Sequence, residues 1–313
     1  MTATFLDASP AWEPRVVRPC DVPACEPSSP QTGAWLWLDP TVSDTPEADV
    51  EALGVRLSLR WIWRGSDWEF VPPRGYRAGP ALLPLTQPVL EYFLAHWALD
   101  GAGLVVQSTA SEAAVVAHLQ QLRWLEASNG DKLTFSLGAT RRLEELAGSL
   151  SSTRLAELLG PVQTVRWLGS DARTWQQLDN PHPAVATVHG CFTLSADEED
   201  ALDRASLDWF LRDAARQMAA DHPARVNALG QELLRTQLLT FAREAERGLA
   251  LTYERDIRHY MRLRLLYPAE PFVRDASLRA LLVDPQVEGR QRVFEAEHRL
   301  RLVYPTLQEG SDV

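Results

Sequence analysis

The sequence predicts an α+β protein, with an N-terminal α/β lobe built on a mixed sheet and an all-helical C-terminal lobe after it. Three observations predict this. Apolar runs of strand length are interleaved with helical stripes as far as Leu168, strand patterns stop after about residue 190, and from Ser195 onward apolar residues recur at helical spacing. A chain of 313 residues buries roughly three quarters of its extended surface and commonly divides into lobes. The expected division is a proline-rich arm over 1–33, an α/β lobe over 34–190 and a helical lobe over 191–313.

The arm holds Pro10, Pro14, Pro19, Pro23, Pro27 and Pro30, a density that breaks helix and ladder alike and predicts extended, loosely ordered chain. Trp35-Leu36-Trp37-Leu38 is a short apolar run, as in a strand buried on both faces. Val55, Leu57, Leu59, Trp61 and Trp63 then alternate with Arg56, Ser58, Arg60, Ile62 and Arg64, the period of two of a half-buried strand. Gly65-Ser66 suits a hairpin loop, setting Trp63 opposite Trp68, Trp61 opposite Phe70 and Arg64 opposite Asp67. Burial of Trp61, Trp63 and Trp68 on one sheet face is favoured over an exposed binding patch; Trp97, Trp124 and Trp167 read as core.

After Thr86-Gln87-Pro88, a helix carries Val89, Leu90, Phe93, Leu94 and Trp97 on one stripe. Gly103–Gln107 reads as a buried strand, and Thr109-x-x-Glu112 as a capping box opening a helix through Val115, Val116, Leu119 and Leu122. Strands around 123–127 and 132–137 meet at Asn129-Gly130, a hairpin signal. A helix through Leu155, Leu158 and Leu159 stops at Gly160-Pro161, and the strand Thr164–Leu168 closes the first lobe. In the second lobe, Ser195-x-x-Glu198 is another capping box, leading into Leu207, Phe210, Leu211, Ala214 and Met218. Pro223 starts a helix bearing Val226, Leu229, Leu233, Leu238 and Phe241, and Thr252 caps one with Ile257, Tyr260, Met261 and Leu265. Further helices fit Ser277–Val283 and Gln286–Leu302.

The net charge of −11 argues against a nucleic-acid partner, which calls for a basic face to displace counterions. Lys132 is the lone lysine, a skew toward arginine that fits a GC-rich genome. Cys20, Cys25 and Cys191 form no C-x-x-C pair and fit a reducing cytosol. Neither a signal-peptide pattern nor an apolar run approaching the ~18 residues of a span stands in the chain, so a cytoplasmic protein with no stable membrane insertion is expected.

No G-x-S-x-G, H-E-x-x-H, P-loop or kinase set occurs, and no catalytic residue, cofactor or metal is assigned. Glu295-x-x-His298 lacks the second motif that a di-iron site needs and reads as a solvated helix face. Asp179, His182, His189 and Cys191 cluster around a proline loop without a zinc spacing, so a connecting loop is favoured. Asp197-Glu198-Glu199-Asp200 sits in a first helical turn, where carboxylates complement the helix dipole.

Between Leu85 and Trp167 a set of motifs runs in a recognisable order. It comprises the helix ending in Trp97, Gly103-Leu104-Val105-Val106-Gln107-Ser108, Ser111-Glu112 and the helix through His118-Leu119 and Leu122. The hairpin with Gly130, Leu133 and Phe135 follows, then Leu155-Ala156-Glu157-Leu158-Leu159-Gly160-Pro161 and Trp167. This block resembles the adaptor-chaperone family of bacterial type VI secretion systems, and Tyr253–Tyr260 resembles the family's helical tail. Phe135-Ser136-Leu137-Gly138-Ala139-Thr140-Arg141 departs from it, keeping Phe135 and Arg141 where members often carry a Phe-Tyr-Asp-Pro-Arg-like turn. The resemblance implies an adaptor that binds a cognate secreted effector, a toxin, and helps load it onto the VgrG spike protein. An enzyme with scattered site residues and a toxin-neutralising immunity protein are the alternatives. In the adaptor reading Arg255, Arg258, Arg262 and Arg264 offer planar, bidentate contacts to partner carboxylates; their other reading is a solvated helix face.

Overall fold

The computed structural model describes residues 16–25, 33–39, 46–55, 58–70, 75–169, 172–183 and 192–304. Seven strands form the main sheet: β1 (Arg18–Cys20), β2 (Gly33–Leu38), β3 (Arg60–Trp61), β4 (Ala81–Pro84), β5 (Gly103–Ser108), β8 (Thr164–Leu168) and β9 (Trp175–Asp179). Their spatial order is β1-β9-β8-β5-β2-β4-β3. The alternation in β2 explains the layers. Trp35 and Trp37 pack on one face with Leu82, Leu104 and Val106, whereas Leu36 and Leu38 pack on the other with Leu83 and Val105. The helices α1 (Pro46–Ala52) and α2 (Gln87–Tyr92, wound on as a π turn over Phe93–Trp97) cover the leucine face through Val50, Val89, Leu90, Phe93 and Trp97. On the tryptophan face lie α3 (Glu112–Gln121), α4 (Thr140–Ser149) and α5 (Ser152–Leu159), with Val115, Leu119, Leu143, Leu146, Leu155 and Leu158 inward. A fully buried leucine or valine contributes about 1.5–3 kcal/mol, so shifting the β2 register by one residue exchanges both faces at prohibitive cost.

The fold class is α+β, but the main sheet is antiparallel throughout rather than mixed. Parallel pairing occurs in a second, three-stranded sheet, where β10 (Phe192–Thr193) joins the edge of the hairpin β6 (Trp124–Glu126) and β7 (Lys132–Thr134). A parallel partner needs a long crossover, and here α4, α5, β8 and β9 supply it. The turn at Asn129-Gly130 is as expected: Gly130 N–H donates to Ala127 O, and Asn129 Oδ1 accepts from Asp131 N–H.

The strand expected over Val55–Arg64 does not form. Only Arg60 and Trp61 pair, with Leu82 and Ala81, and the chain then runs through successive turns to Phe70; Arg56 and Leu57 lie outside the described residues. Ser66 accounts for the difference, because its hydroxyl donates to Trp63 O and accepts from Trp68 N–H, offering the backbone local partners in place of a ladder. Ile62, on the expected polar face, is fully buried, while Trp61 and Trp63 are half-buried. Trp63 does meet Trp68, but Trp61 meets Tyr76 instead of Phe70, and Asp67 pairs with Arg123 instead of Arg64.

Other boundaries shift for local reasons. Ser111, not Thr109, caps α3, accepting from Ala114 N–H, because Glu112 turns out to Arg60 and Thr109 accepts from Gln163. Thr164–Leu168 does not close the lobe: β9 follows as its hairpin partner, and β1, inside the proline-rich arm, pairs with β9. β10 also lies just beyond residue 190, where strands were expected to have ended.

The Ser195–Glu198 box is present in full: Ser195 N–H donates to Glu198 Oε2 (2.9 Å), and Glu198 N–H donates to Ser195 Oγ (3.3 Å). It opens α6 (Ala196–Asp221), followed by α7 (Pro223–Leu229), α8 (Gln231–Arg243) with a π turn over Glu244–Gly248, α9 (Glu254–Leu266), α10 (Ala269–Arg274), α11 (Ala276–Val283) and α12 (Gly289–Val303). The single helix expected from Pro223 is two, parted at Gly230; Tyr253 rather than Thr252 stands at the start of α9. Among the described residues, one compact unit runs up to Ser206 and a second from Leu207 to Tyr304, the division falling within α6. The helical unit has two apolar clusters, one around Phe210, Leu234, Leu238 and Met261, the other around Leu251, Tyr260, Leu278, Val293 and Leu300. No helix among the described residues is long and apolar enough to cross a membrane.

Candidate functional site

Of the four arginines singled out on α9, three share a stripe. Arg255, Arg258 and Arg262 recur at three- and four-residue spacing, with Glu254 and His259 beside them. With Ala214, Gln217, Met218 and Asp221 of α6 they line a groove of about 570 Å³ inside the helical unit. Arg264 faces elsewhere. Its guanidinium lies 4.7 Å from the Phe241 ring and 4.8 Å from the Phe272 ring, pairs with Glu244 and donates to the Tyr260 hydroxyl at 3.1 Å. Burial pushes the Tyr260 phenol far above its ordinary range, so that hydroxyl stays protonated. Arg264 is therefore an internal residue of the helical unit.

The groove's positive charge is largely matched from within. Arg258 meets Asp213 at 2.9 Å, Arg262 meets Glu297 at 3.0 Å, and Arg255 meets Asp256 at 3.2 Å. Glu297 also takes His259 at 2.6 Å and Arg301 at 2.5 Å. Burial pushes the Glu297 carboxyl up, but the His259 hydrogen bond and the charges of Arg262, His259 and Arg301 outweigh it and hold its pKa below the ordinary 4.5. A depressed carboxyl stabilises the fold fully above its unfolded value, and that contribution is lost as pH falls through the folded value. Thermal denaturation should therefore show an acid limb below about pH 4.5, and Glu297→Gln should flatten it. An acid limb identical in the two proteins counts against the assignment.

The residues considered for metal binding are engaged elsewhere or stand apart. Asp179 accepts from Arg18, Thr164 and Gln177; His189 and Cys191 lie outside the described residues. Glu198 holds Arg154 (2.9 Å), and Glu199 accepts from Ser128. Glu295 and His298 are exposed on α12. Among the described residues no group of three His, Cys, Asp or Glu side chains converges on a metal position. Burial raises the Cys20 and Cys25 thiols, away from thiolate reactivity.

A second surface belongs to the α+β unit. Residues 60–70 and 75–78 carry five aromatics (Trp61, Trp63, Trp68, Phe70, Tyr76) and three arginines (Arg60, Arg64, Arg77), the residue types that dominate binding hot spots. Because residues 62–70 wind through turns instead of a strand, Trp63 and Trp68 stay half-buried and Phe70 is exposed. Trp63, Trp68 and Trp124 form a chain with centroids 5.0 and 5.2 Å apart, and the Arg123 guanidinium sits 5.0 Å over Trp68. Trp61 meets Tyr76 edge-on, and Arg64 and Arg77 each lie 5.8 Å from the Tyr76 centroid. Phe70 is 86% exposed.

The ring of Trp63 is seated where Gly79 has no side chain: a Cβ there would fall 2.2 Å from it. Beside it opens a cavity of about 200 Å³, walled by Trp37, Trp63, Leu119, Leu122, Phe135 and Leu137 and touched by Arg123 and Asp39. Since Trp63 is half-buried, Trp63→Ala should cost about 1.5–2.5 kcal/mol, roughly half the ~3–5 of a buried aromatic. Chemical denaturation reads this directly, and a loss at the upper end would mean that Trp63 is core. The sequence held the composition of this surface; its exposure depended on a turn in place of a strand. No protein-family model, no curated protein and no solved structure significantly matches this chain.

Proposed function

We propose that this chain is an adaptor-chaperone that binds a toxic type VI secretion effector in the cytosol and helps load it onto the VgrG spike protein. The observation that carries the proposal is the aromatic and arginine surface of residues 60–70 and 75–78, where Phe70 stands exposed and four further rings are half-buried. Half-exposed tryptophan, tyrosine and arginine bring large contact area at low entropic cost, which suits an interface that must form and later release. The resemblance from Leu85 to Trp167 supplies the partners' identity. An interface of ordinary size, on the order of 1,200–2,000 Å² in total, serves both tasks.

The test is co-expression with the effector encoded beside this chain, followed by affinity capture and size-exclusion chromatography. A stoichiometric complex is expected, and loss of effector secretion in a strain lacking the chain. Soluble effector secreted normally from that strain overturns the role.

A second reading, an enzyme or small-molecule binder, is favoured by the α6–α9 groove, whose 570 Å³ falls within the ~300–1,000 Å³ of ligand pockets. Its charged lining is mostly spent on internal carboxylates, which places it second. Ligand-induced stabilisation that Arg258→Ala abolishes would reverse that order.

A further inference from the structure

We propose that two copies of this chain pair about a two-fold axis, each placing its Phe70 ring in the other's cavity beside Trp63. This pairing goes beyond the adaptor reading and is independent of it. The hole has the size of a phenyl ring. An apolar cavity of ~150 Å³ admits benzene, and this one holds about 200 Å³ between Trp37, Trp63, Leu119, Leu122, Phe135 and Leu137. The knob is Phe70, which is 86% exposed and so is not seated in its own molecule's cavity.

Knob and hole are neighbours on the α+β unit. The Trp68 ring packs on Trp63, at the cavity wall, with centroids 5.0 Å apart, and Phe70 follows two residues later. The chain is held there from the other side as well. Tyr76 N–H donates to Glu69 O at 2.9 Å, and a Cβ on Gly75 would fall 3.7 Å from Phe70 Cα. Ala78, three residues beyond Gly75, lines the cavity. A surface that carries both a projecting ring and a cavity to take it is complementary to itself, as an isologous two-fold contact requires. A second copy accounts for knob and hole together, whereas a foreign ligand of the cavity leaves Phe70 in water. Charge permits the pairing at this face. The chain carries a net −11, so two copies repel in general. Residues 60–70, however, hold Arg60 and Arg64 against Asp67 and Glu69, and the cavity's charged lining is Arg123 and Asp39, one of each sign. This face therefore adds no net repulsion of its own when it meets its copy.

The experiment is sedimentation equilibrium of the full chain from about 1 μM to about 1 mM, the range of weak specific association. Expected is a mass that rises from 35.0 kDa toward twice that value, with a Kd on the order of 100 μM for so small a contact. Phe70→Ala removes the knob, and Ala78→Leu adds bulk to the wall of the hole. Each should weaken the dimer at least about tenfold with the melting temperature unchanged. Mixing the two variants should restore part of the loss, because the mixed dimer still sets one Phe70 into one open cavity. If Ala78→Leu does not fold, tryptophan emission on dilution decides. Wild-type emission should shift as the cavity walled by Trp37 and Trp63 opens to water, and that of Phe70→Ala should not. A monomer at every concentration overturns the inference, as does a dimer that Phe70→Ala leaves intact. So does a mixture of folded variants that associates no better than either alone. A monomer that instead binds an effector or phosphatidylglycerol vesicles through Phe70 names another occupant and overturns it too. No effector enters the sedimentation experiment, so its failure leaves the adaptor role to the secretion test.

Discussion

Gly160→Ala should destabilise the α+β unit by about 3–5 kcal/mol, combining overpacking with a strained backbone. Gly160 ends α5 at φ 54° and ψ −120°, and a Cβ there would lie 2.3–2.6 Å from three atoms of the His118 ring. That ring cannot retreat. His118 is 4% exposed, and its Nε2 is 3.0 Å from Leu158 O; burial lowers its pKa despite that bond, keeping the ring neutral. The backbone cannot retreat either, because Asn180 Nδ2 donates to both Gly160 O and Val162 O at 2.9 Å, and Ser108 Oγ donates to Pro161 O at 2.5 Å. Gly101 has a similar φ of 68° with nothing within 4 Å of a Cβ, so Gly101→Ala should cost only about 1 kcal/mol. Urea denaturation separates the two, and adding His118→Ala to Gly160→Ala should recover part of the loss. Equal costs at the two glycines would show that ring contact plays no part.

Arg264→Met should cost the helical unit about 2–3 kcal/mol, somewhat below the ~3–5 of a fully buried pair because Glu244 is 39% exposed. The substitution keeps a long apolar stem but removes the donor to Tyr260 and the cation between the Phe241 and Phe272 rings. Arg255→Met, on the same helix but 62% exposed, should stay within about 0.5 kcal/mol. Hydrogen exchange across α8–α10 reports the difference, with faster exchange in the Arg264 variant alone. If Arg264→Met instead exchanges like wild type and loses a partner, the arginine is an interface residue after all.

What was legible in the sequence is what short-range chemistry decides. The two-faced burial of β2, the Asn129-Gly130 turn, the end of α5 and the Ser195–Glu198 box each depend on neighbours a few residues apart. What was missed depends on distant partners. β9 carries Gln176 and Gln177 into the interior, and Gln177 is satisfied there by Arg166 and Asp179. In α4, buried Glu145 takes Arg141 and Arg142 from its own helix and Ser206 from α6, so a polar stretch hides a core-facing helix. The site divides in the same way. Helical spacing set Arg255, Arg258 and Arg262 on one stripe, but the carboxylates that neutralise Arg258 and Arg262 arrive from α6 and α12. The period of two through Trp61 and Trp63 pointed to a strand and Gly65-Ser66 to a hairpin loop, but the Ser66 hydroxyl's bonds to Trp63 O and Trp68 N–H hold the chain in successive turns instead.

The main sheet ends on β1, three residues with Pro19 at the centre, and on β3, two residues; the small sheet ends on β10 and β7, two and three residues long. None of these edges offers the run of free amides and carbonyls on which a foreign strand could be templated. Among the described residues, then, no sheet edge gives an extended partner segment a backbone to pair with by strand addition. A partner that meets these described edges is distinguished by side chains rather than by a shared ladder.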